Sequence, residues 1–307
     1  MVLGDGGKGN ANQRLVAEGI AAVCADRTDN RAAGCAFALY LGDNVYDTGV
    51  ESADDPQFHS KFEQPYAGLD FPFFVVMGNH DYGSTSLARW RAEPQVAYTA
   101  RSEKWTLPAP YYTFAVGNVQ FYGLDTNALM LESIWGDSGQ GAWLDDQLDG
   151  PRDQWRVVFG HHPYRSNGQH GNAGAYEGLG WLPVVRGSTV ADFYEDHVCG
   201  RVDIAFAGHD HNRQWLSPTC RTHFVVSGAA SHVTPLARRD ANPTEFEDDS
   251  EEGFLWVEID GDSLTGVFYD ADGTERFVRT VARSGTRGWP ASQAMDANHS
   301  GMRRSSQ

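Results

Sequence analysis

The sequence predicts an α/β fold, and two features of its pattern carry that prediction. Six apolar runs rich in β-branched and aromatic residues each end abruptly in glycine followed by small or polar residues, which is typical of buried strands. Helical patterns lie between them. Because functional groups collect beyond the carboxyl ends of strands in such sheets, we expect the polar residues after these runs to lie close together.

The elements follow one another in a regular order. The strand runs are CAFALYLGDN, FPFFVVMGNHDYG, VQFYGLDTN, WRVVFGHHPY, VDIAFAGHDHN and THFVVSGAA. MVLGDGG has the character of a shortened first strand, which would leave Asp5 weakly anchored. Helices are predicted at 12–25, where Leu15, Ile20 and Val23 are apolar positions, and at 57–62, 142–148 and 189–198. Residues 253–281 alternate with period two and predict antiparallel strands.

The domain prediction places one catalytic unit at 1–281 and a mobile tail at 282–307. The tail is rich in serine, glycine, arginine and asparagine and has few apolar residues, a composition that cannot form a core. The start MVLGDGG lacks the charged and apolar regions of a signal peptide. We expect either a longer precursor or a true short start.

Composition excludes two broad classes of function. The 307 residues carry a formal net charge of −17, and no long Lys/Arg cluster precedes the tail, so no nucleic-acid partner is expected. No apolar run reaches 18 residues, so no membrane-spanning helix is predicted. The sequence carries no pattern that predicts an oligomeric state.

Four cysteines fall as two local pairs, Cys24 with Cys35 and Cys199 with Cys220. Four cysteines allow three pairings, and sequence alone does not choose among them. Short-loop disulfides within each pair, in an exported protein, are the preferred interpretation, and buried free thiols are the alternative.

The residues after the predicted strands form a set of metal-ligand types. Carboxylates, an amide, a phenol and imidazoles come from five separate segments, and all are ligands of hard or borderline metal ions. Seven candidates exceed the needs of one ion, whereas two ions about 3.5–4 Å apart that share a carboxylate would use them all. The candidate ligands are Asp5, Asp43, Tyr46, Asn79, His161, His209 and His211.

The ordered motifs GDGG, GDNVY, GNHD, GHHP and GHDH resemble the five motif blocks of the calcineurin-like metallophosphoesterases. The tyrosine of GDNVY makes the chain similar to the purple acid phosphatases of the small tartrate-resistant type, over about residues 3–230. Two departures stand out: Gly6 occupies a position that is often aromatic in the family, and the family's repression loop has no clear match. The resemblance implies a four-layer α/β/β/α sandwich of two mixed β-sheets flanked by helices.

The resemblance also implies which residues hold which metal. A ferric ion would bind Asp5, Asp43, Tyr46 and His211. A divalent iron, zinc or manganese ion would bind Asp43, Asn79, His161 and His209. The phenolate of Tyr46 would favour the trivalent state of iron and give the protein its colour.

The expected reaction is hydrolysis of a small phosphorylated substrate, a phosphomonoester, by a metal-bound hydroxide. His80 would protonate the leaving alkoxide, and Asp81 would orient His80 from behind. His170 would bind the phosphate or donate a proton, whereas His162 should face away from the site.

Two alternative functions remain open. One is a phosphodiesterase or nucleotidase with the same metal centre, and the other is a non-catalytic protein that binds metal or phosphate. An extracytoplasmic location, periplasmic or secreted, is expected from the paired cysteines and from the habit of the family.

Overall fold

Two mixed β-sheets form the centre of the molecule. A computed structural model describes residues 1–27, 34–178, 185–239 and 241–283. In this part of the chain the first sheet has seven strands. From one edge to the other they are β14 (Glu275–Ala282), β13 (Ser263–Asp270), β12 (Gly253–Asp260), β1 (Val2–Leu3), β2 (Ala38–Leu41), β3 (Phe73–Val76) and β4 (Trp105–Thr106).

The second sheet also has seven strands within the described ranges. In order they are β11 (Thr244–Asp248), β9 (Arg213–Leu216), β10 (His223–Ser227), β8 (Ile204–Ala207), β7 (Trp155–Phe159), β6 (Val119–Gly123) and β5 (Tyr112–Val116). Both sheets mix parallel and antiparallel neighbours.

Parallel pairing places the strand ends that precede the predicted ligands at one edge of each sheet. Strands β1, β2 and β3 run parallel to one another, with Leu39 aligned between Val2 and Phe74. Strands β6, β7 and β8 are likewise parallel. The carboxyl ends of each set therefore share one edge of their sheet. The late strands β12, β13 and β14 are antiparallel, as their alternation predicts.

Helices cover the outer faces of the two sheets. They are α1 (Ala11–Asp26), α2 (Ala92–Tyr98), α3 (Thr126–Met130), α4 (Glu132–Trp135), α5 (Gln140–Leu148) and α6 (Ser188–Phe193). Apolar residues of both sheets, such as Leu39 and Val157, share one core with α1. A second core joins the other face of the second sheet to α3, α5 and α6. The predicted arrangement of two mixed sheets flanked by helices is confirmed.

The observed helices differ slightly from the predicted ones in their bounds, their type and the residues of their apolar face. Helix α1 is capped by the Asn10 side chain, which accepts from the Gln13 N–H at 2.9 Å. Leu15 is 46% exposed, so its expected place on the apolar face is wrong; Val16 and Ile20 form that face instead. The helix predicted at 57–62 is the π-helical turn His59–Glu63. The one predicted at 189–198 is α6 continued by the π-helical turn Tyr194–Val198.

The first strand is anchored more firmly than its length predicts. Val2 pairs with Leu39 on one side and with Leu255 on the other, so β1 is central in its sheet. The Asp5 N–H donates to the Gly42 carbonyl at 3.0 Å, and the Asp5 side chain is fully buried. The expectation of a weakly anchored Asp5 is therefore wrong, because two neighbouring strands hold even a short β1.

Both preferred disulfides are present, Cys24–Cys35 and Cys199–Cys220. The last strand ends at Ala282, and residues 284–307 of the predicted tail lie outside the described residues. Within the described ranges, no helix combines the length and apolar character needed to cross a bilayer.

Candidate metal centre

All seven predicted ligand side chains meet at the edge where the parallel strands end. Asp5 follows β1, Asp43 and Tyr46 follow β2, and Asn79 follows β3 in the first sheet. His161 follows β7, and His209 and His211 follow β8 in the second sheet. Loops far apart in the chain thus converge because the two sets of parallel strands face each other across the core.

One group of donor atoms consists of Asp5, Tyr46 and His211. The Tyr46 hydroxyl donates to Asp5 Oδ1 at 3.1 Å and lies 3.2 Å from His211 Nε2. His211 Nε2 lies 3.4 Å from Asp5 Oδ1. Separations of about 3 Å are those between neighbouring ligands of one ion when each metal–ligand bond is about 2 Å. These three residues therefore fit a single cation.

A second group of donors surrounds His161 Nε2. Asn79 Oδ1 lies 3.0 Å from this nitrogen, His209 Nδ1 lies 3.1 Å away, and Asp43 Oδ1 lies 3.5 Å away. The other ring nitrogen, His161 Nδ1, lies 2.8 Å from the Leu41 carbonyl. Because a carbonyl only accepts, Nδ1 carries the proton, and the lone pair of Nε2 faces the group.

Asp43 lies between the two groups. Its carboxylate approaches His161 as above, and it also forms a cluster with Asp5 and His211 in which one donor atom of each lies within 4.8 Å of the others. The main-chain N–H of His80 donates to Asp43 Oδ1 at 2.9 Å, which fixes the carboxylate. This position is the one that a shared ligand of two ions requires.

The charge of the centre also fits bound cations. Asp5 and Asp43 are 0% and 1% exposed, and within the described ranges no Lys or Arg side chain pairs with either of them. Burial and the two carboxylates raise the pKa of Tyr46 far above its usual value. Burial raises the pKa of Asp5, but the facing His211 and His161 lower it by more. Two buried carboxylates need positive charge beside them.

The imidazole of His209 is in the form that binds metals. Burial, and then the neighbouring His170 and His162, lower the pKa of His209 well below its usual value. The ring is therefore neutral and keeps a lone pair for a cation.

The backbone is strained at three of the predicted ligands. Asp5, Asp43 and His209 have φ values of 61°, 53° and 68°, in the left-handed region that costs non-glycine residues free energy. The left-handed residue His209 directs the side chains of His209 and His211 into different donor groups.

Gly42 permits the close approach of the loops after β2, β3 and β7. Its φ is 89°, and a Cβ added there would lie 2.7 Å from both the Gly78 nitrogen and His161 Nδ1. A side chain at this position would therefore separate the two sheets at the centre.

His80 lies beside the centre, but Asp81 does not touch its ring. His80 Nδ1 donates to the Asp47 carbonyl at 3.0 Å, and the ring centroid is 4.6 Å from that of Tyr46. The Asp81 carboxylate instead accepts from the backbone N–H groups of Asn44 and Gly78 at 3.1 and 2.8 Å. The expectation that Asp81 orients His80 from behind is replaced: Asp81 joins the loops after β2 and β3.

His170 stacks on one of the predicted ligands. Its ring centroid lies 3.9 Å from that of His209, with 30° between the planes. Burial lowers the pKa of His170, but Glu177 and Asp210 beside it raise it by more, so the net shift is upward. His170 therefore lies beside His209 and is partly exposed.

Two neighbours of the centre, His162 and His232, were given no role from sequence. His162 is buried, lies 2.9 Å from Thr126 Oγ1 through Nδ1, and has its ring 4.5 Å from that of His209. It therefore does not face away as expected. The His232 ring lies 3.7 Å from that of His211. The SGAASH segment that follows β10 at a strand end was the available signal for His232.

Comparisons with known proteins identify the relatives of the chain. The family model for calcineurin-like phosphoesterases matches residues 15–213. Tartrate-resistant acid phosphatase type 5 of Mus musculus is 29% identical over 281 residues, which cover 81% of this chain and 80% of that protein. Purple acid phosphatase 7 of Arabidopsis thaliana is 27% identical over 301 residues, covering 89% of this chain and 82% of the relative.

Solved structures share the fold. The purple acid phosphatase PPD1 of yellow lupin (Lupinus luteus) matches with a TM-score of 0.64 and 17% identity, over 92% of this chain and 53% of the lupin chain. GAP50, described as the anchor in the inner membrane complex of Plasmodium, matches with a TM-score of 0.70 and 18% identity, over 93% of this chain and 89% of that one. At these identities the structural likeness concerns the fold alone. The family model, however, covers well over half of the chain, and this protein belongs to the calcineurin-like phosphoesterase family.

Proposed function

We propose that this protein is a metal-dependent phosphatase that hydrolyses phosphomonoesters at a binuclear centre. The observation that carries the proposal is the pair of donor groups, Asp5–Tyr46–His211 and Asn79–His161–His209, with Asp43 between them. The similarity to tartrate-resistant and purple acid phosphatases over about four-fifths of the chain supports the same reaction.

The donor sets favour different metals. The phenol of Tyr46 and the carboxylate of Asp5 are hard oxygen donors that suit Fe³⁺, whereas the amide and imidazoles around His161 suit divalent Fe, Zn or Mn. When bound, the two cations would supply Lewis-acid polarisation of the phosphoryl oxygens and lower the pKa of a water nucleophile. They would also attract a phosphate dianion to a chain whose net charge is −17.

Two histidines of the chain would act on the substrate. His80 Nδ1 is occupied by the Asp47 carbonyl, so Nε2 would carry the proton given to the leaving alkoxide. His170 would meet the phosphate from the opposite rim, above His209. Both side chains are partly exposed, as groups that contact a substrate must be.

Elemental analysis with a visible spectrum of aerobically purified protein tests the metal proposal. Two metal ions per chain, one of them iron, and an absorption band of the tyrosinate–Fe³⁺ type are expected. A colourless oxidised protein that holds only zinc or manganese would contradict the ferric assignment. It would not contradict the proposal of a binuclear centre.

A parallel assay of three substrates tests the reaction. An aryl phosphate should be hydrolysed much faster than a bis-aryl phosphate or a nucleotide. Preference for the diester would favour a phosphodiesterase instead. Full metal content without turnover of any ester would favour a non-catalytic protein.

The two disulfides support an extracytoplasmic location, since such bonds persist in oxidising compartments. Free-thiol titration of the native protein under denaturing conditions should detect no reactive cysteine.

A further inference from the structure

Glu177 and His170 hold each other through two hydrogen bonds. His170 Nδ1 donates to Glu177 Oε1, and the Glu177 main-chain N–H donates to the His170 carbonyl at 2.9 Å. The side chains are 27% and 40% exposed, so the pair lies at the rim of the centre. Since Nδ1 is occupied, Nε2 is the ring nitrogen left to meet a substrate.

The backbone on both sides of His170 is fixed independently. The His170 N–H donates to Asp210 Oδ1 at 2.8 Å. The Arg239 guanidinium donates to the Gln169 and His170 carbonyls. The main chain is thus held without Glu177, and the Glu177 carboxylate adds the orientation of the ring.

The ring orientation has a consequence at the centre. The His170 ring stacks on that of His209, with centroids 3.9 Å apart and 30° between the planes. A rotation of His170 about its side-chain bonds would break this stacking and move Nε2 away from the rim. Glu177 has φ 60° and ψ 4°, a left-handed conformation that costs free energy for a residue with a Cβ. In this conformation the Glu177 carboxylate reaches His170 Nδ1.

We propose that Glu177 is a positioning residue for phosphomonoester hydrolysis: its carboxylate accepts the Nδ1–H of His170 and fixes the ring plane, so that Nε2 faces the bound phosphate. This inference rests on the proposed function. A partner on the far nitrogen of a histidine orients the ring at many metal and catalytic sites.

A role of Glu177 as a metal ligand can be distinguished from a role in positioning His170. One donor atom each from Glu177, His170 and His209 lie within 4.8 Å of one another, so the three could also bind a cation. Elemental analysis decides between the two: E177A should keep the wild-type metal content if Glu177 positions His170, and a lost metal ion would overturn the proposal.

The kinetic test compares E177A, E177Q, H170A and the double variant E177A/H170A on an aryl phosphate. E177A should lower kcat/KM roughly 10- to 100-fold. E177Q keeps an acceptor for Nδ1–H and should recover part of that loss. E177A should cause no further loss in the H170A background, because Glu177 acts through His170. Additive losses, or wild-type activity in E177A, would overturn the proposal.

A matched control and a second readout complete the experiment. His197 Nδ1, on the turn Tyr194–Val198, donates to Asp145 Oδ1 on α5 at 2.9 Å in a similar pair, so D145N should leave kcat and KM unchanged. Imidazole nitrogen NMR of zinc-loaded protein should show a proton held on Nδ1 of His170 in the wild type and exchanging there in E177A. This readout needs no turnover: if the wild type hydrolyses no ester, the function fails while the Nδ1 result still decides the role of Glu177. An unchanged Nδ1 signal in E177A would overturn it.

Discussion

The carboxylate of Asp81 accepts hydrogen bonds from Asn44 twice, from the main-chain N–H at 3.1 Å and from the side-chain amide at 3.0 Å. It also accepts from the N–H groups of Val45 and Gly78 at 3.1 and 2.8 Å. One buried carboxylate therefore ties the loop that carries Asp43 to the loop that carries Asn79. The spacing of the two donor groups depends on this tie.

Replacing Asp81 with asparagine should weaken both the fold and the centre. The amide turns one acceptor into a donor that faces N–H groups, leaving buried donors unsatisfied, at a cost of about 1–3 kcal/mol in the free energy of unfolding. Metal affinity should fall roughly 10- to 100-fold, as is typical when the support of a ligand is removed. Urea unfolding and chelator competition measure the two effects. The exposed Asp149→Asn is the control, and equal behaviour of both variants would contradict the role of Asp81.

Replacing Tyr46 with phenylalanine should separate colour from catalysis. The hydroxyl lies 3.1 Å from Asp5 Oδ1 and 3.2 Å from His211 Nε2, so its loss removes one donor of the first group and leaves the second intact. The visible band should disappear, while hydrolysis of an aryl phosphate remains measurable. Absorption spectra and elemental analysis check the result. A band that survives in this variant would exclude Tyr46 as its source.

The convergence of the ligands was predictable from sequence because each follows an apolar run that ends in glycine. Parallel strands bring such ends to one edge of a sheet, so Asp43 and Asn79, which follow β2 and β3, could be placed together without knowing how the sheets pack. His161 follows β7 of the second sheet, so its approach to them depends on that packing. The division of His209 and His211 between two groups came from the family resemblance and not from the residue pattern, since it depends on the left-handed φ of His209.

Some contacts of the loops at this edge were not predicted from sequence. His232 lies against His211 although no glycine–histidine motif marks it, because the Ser231 hydroxyl bonds to the Asp5 carbonyl and draws the segment inward. The partner of Asp81 was also mistaken. A carboxylate adjacent to a histidine suggests an orienting pair, but neighbouring residues of the short helix His80–Tyr82 point in different directions.

Replacing His80 with alanine should slow hydrolysis in proportion to the basicity of the leaving group. General acid catalysis contributes about 100- to 10,000-fold when the departing alkoxide is a strong base, so alkyl phosphates should lose activity in this range. Aryl phosphates should lose much less, because a phenolate departs without a proton. The measurement is kcat/KM across a series of leaving groups. Equal losses along the series would indicate that His80 does not donate the proton.

His223 should make the fold sensitive to acid. It is 5% exposed on β10, and burial, followed by the nearby Arg279, lowers its pKa from 6.5 to about 4. Between these values the unfolded chain binds a proton that the native protein does not, so the free energy of unfolding falls as pH decreases from about 6.5 to about 4. The loss from this single group amounts to about 3 kcal/mol over the whole window.

The variant His223→Gln removes the titrating group from both states. Its free energy of unfolding should therefore change less between pH 7 and pH 4 than that of the wild type, by about the same 3 kcal/mol. Urea unfolding at intervals of pH measures the difference, on metal-loaded protein so that the centre remains the same. His59 is exposed, and His59→Gln should keep the wild-type pH dependence. If both variants lose stability in acid to the same extent as the wild type, burial of neutral His223 is not the cause of the loss. A histidine that has the same pKa in the folded and unfolded states does not change how the free energy of unfolding depends on pH.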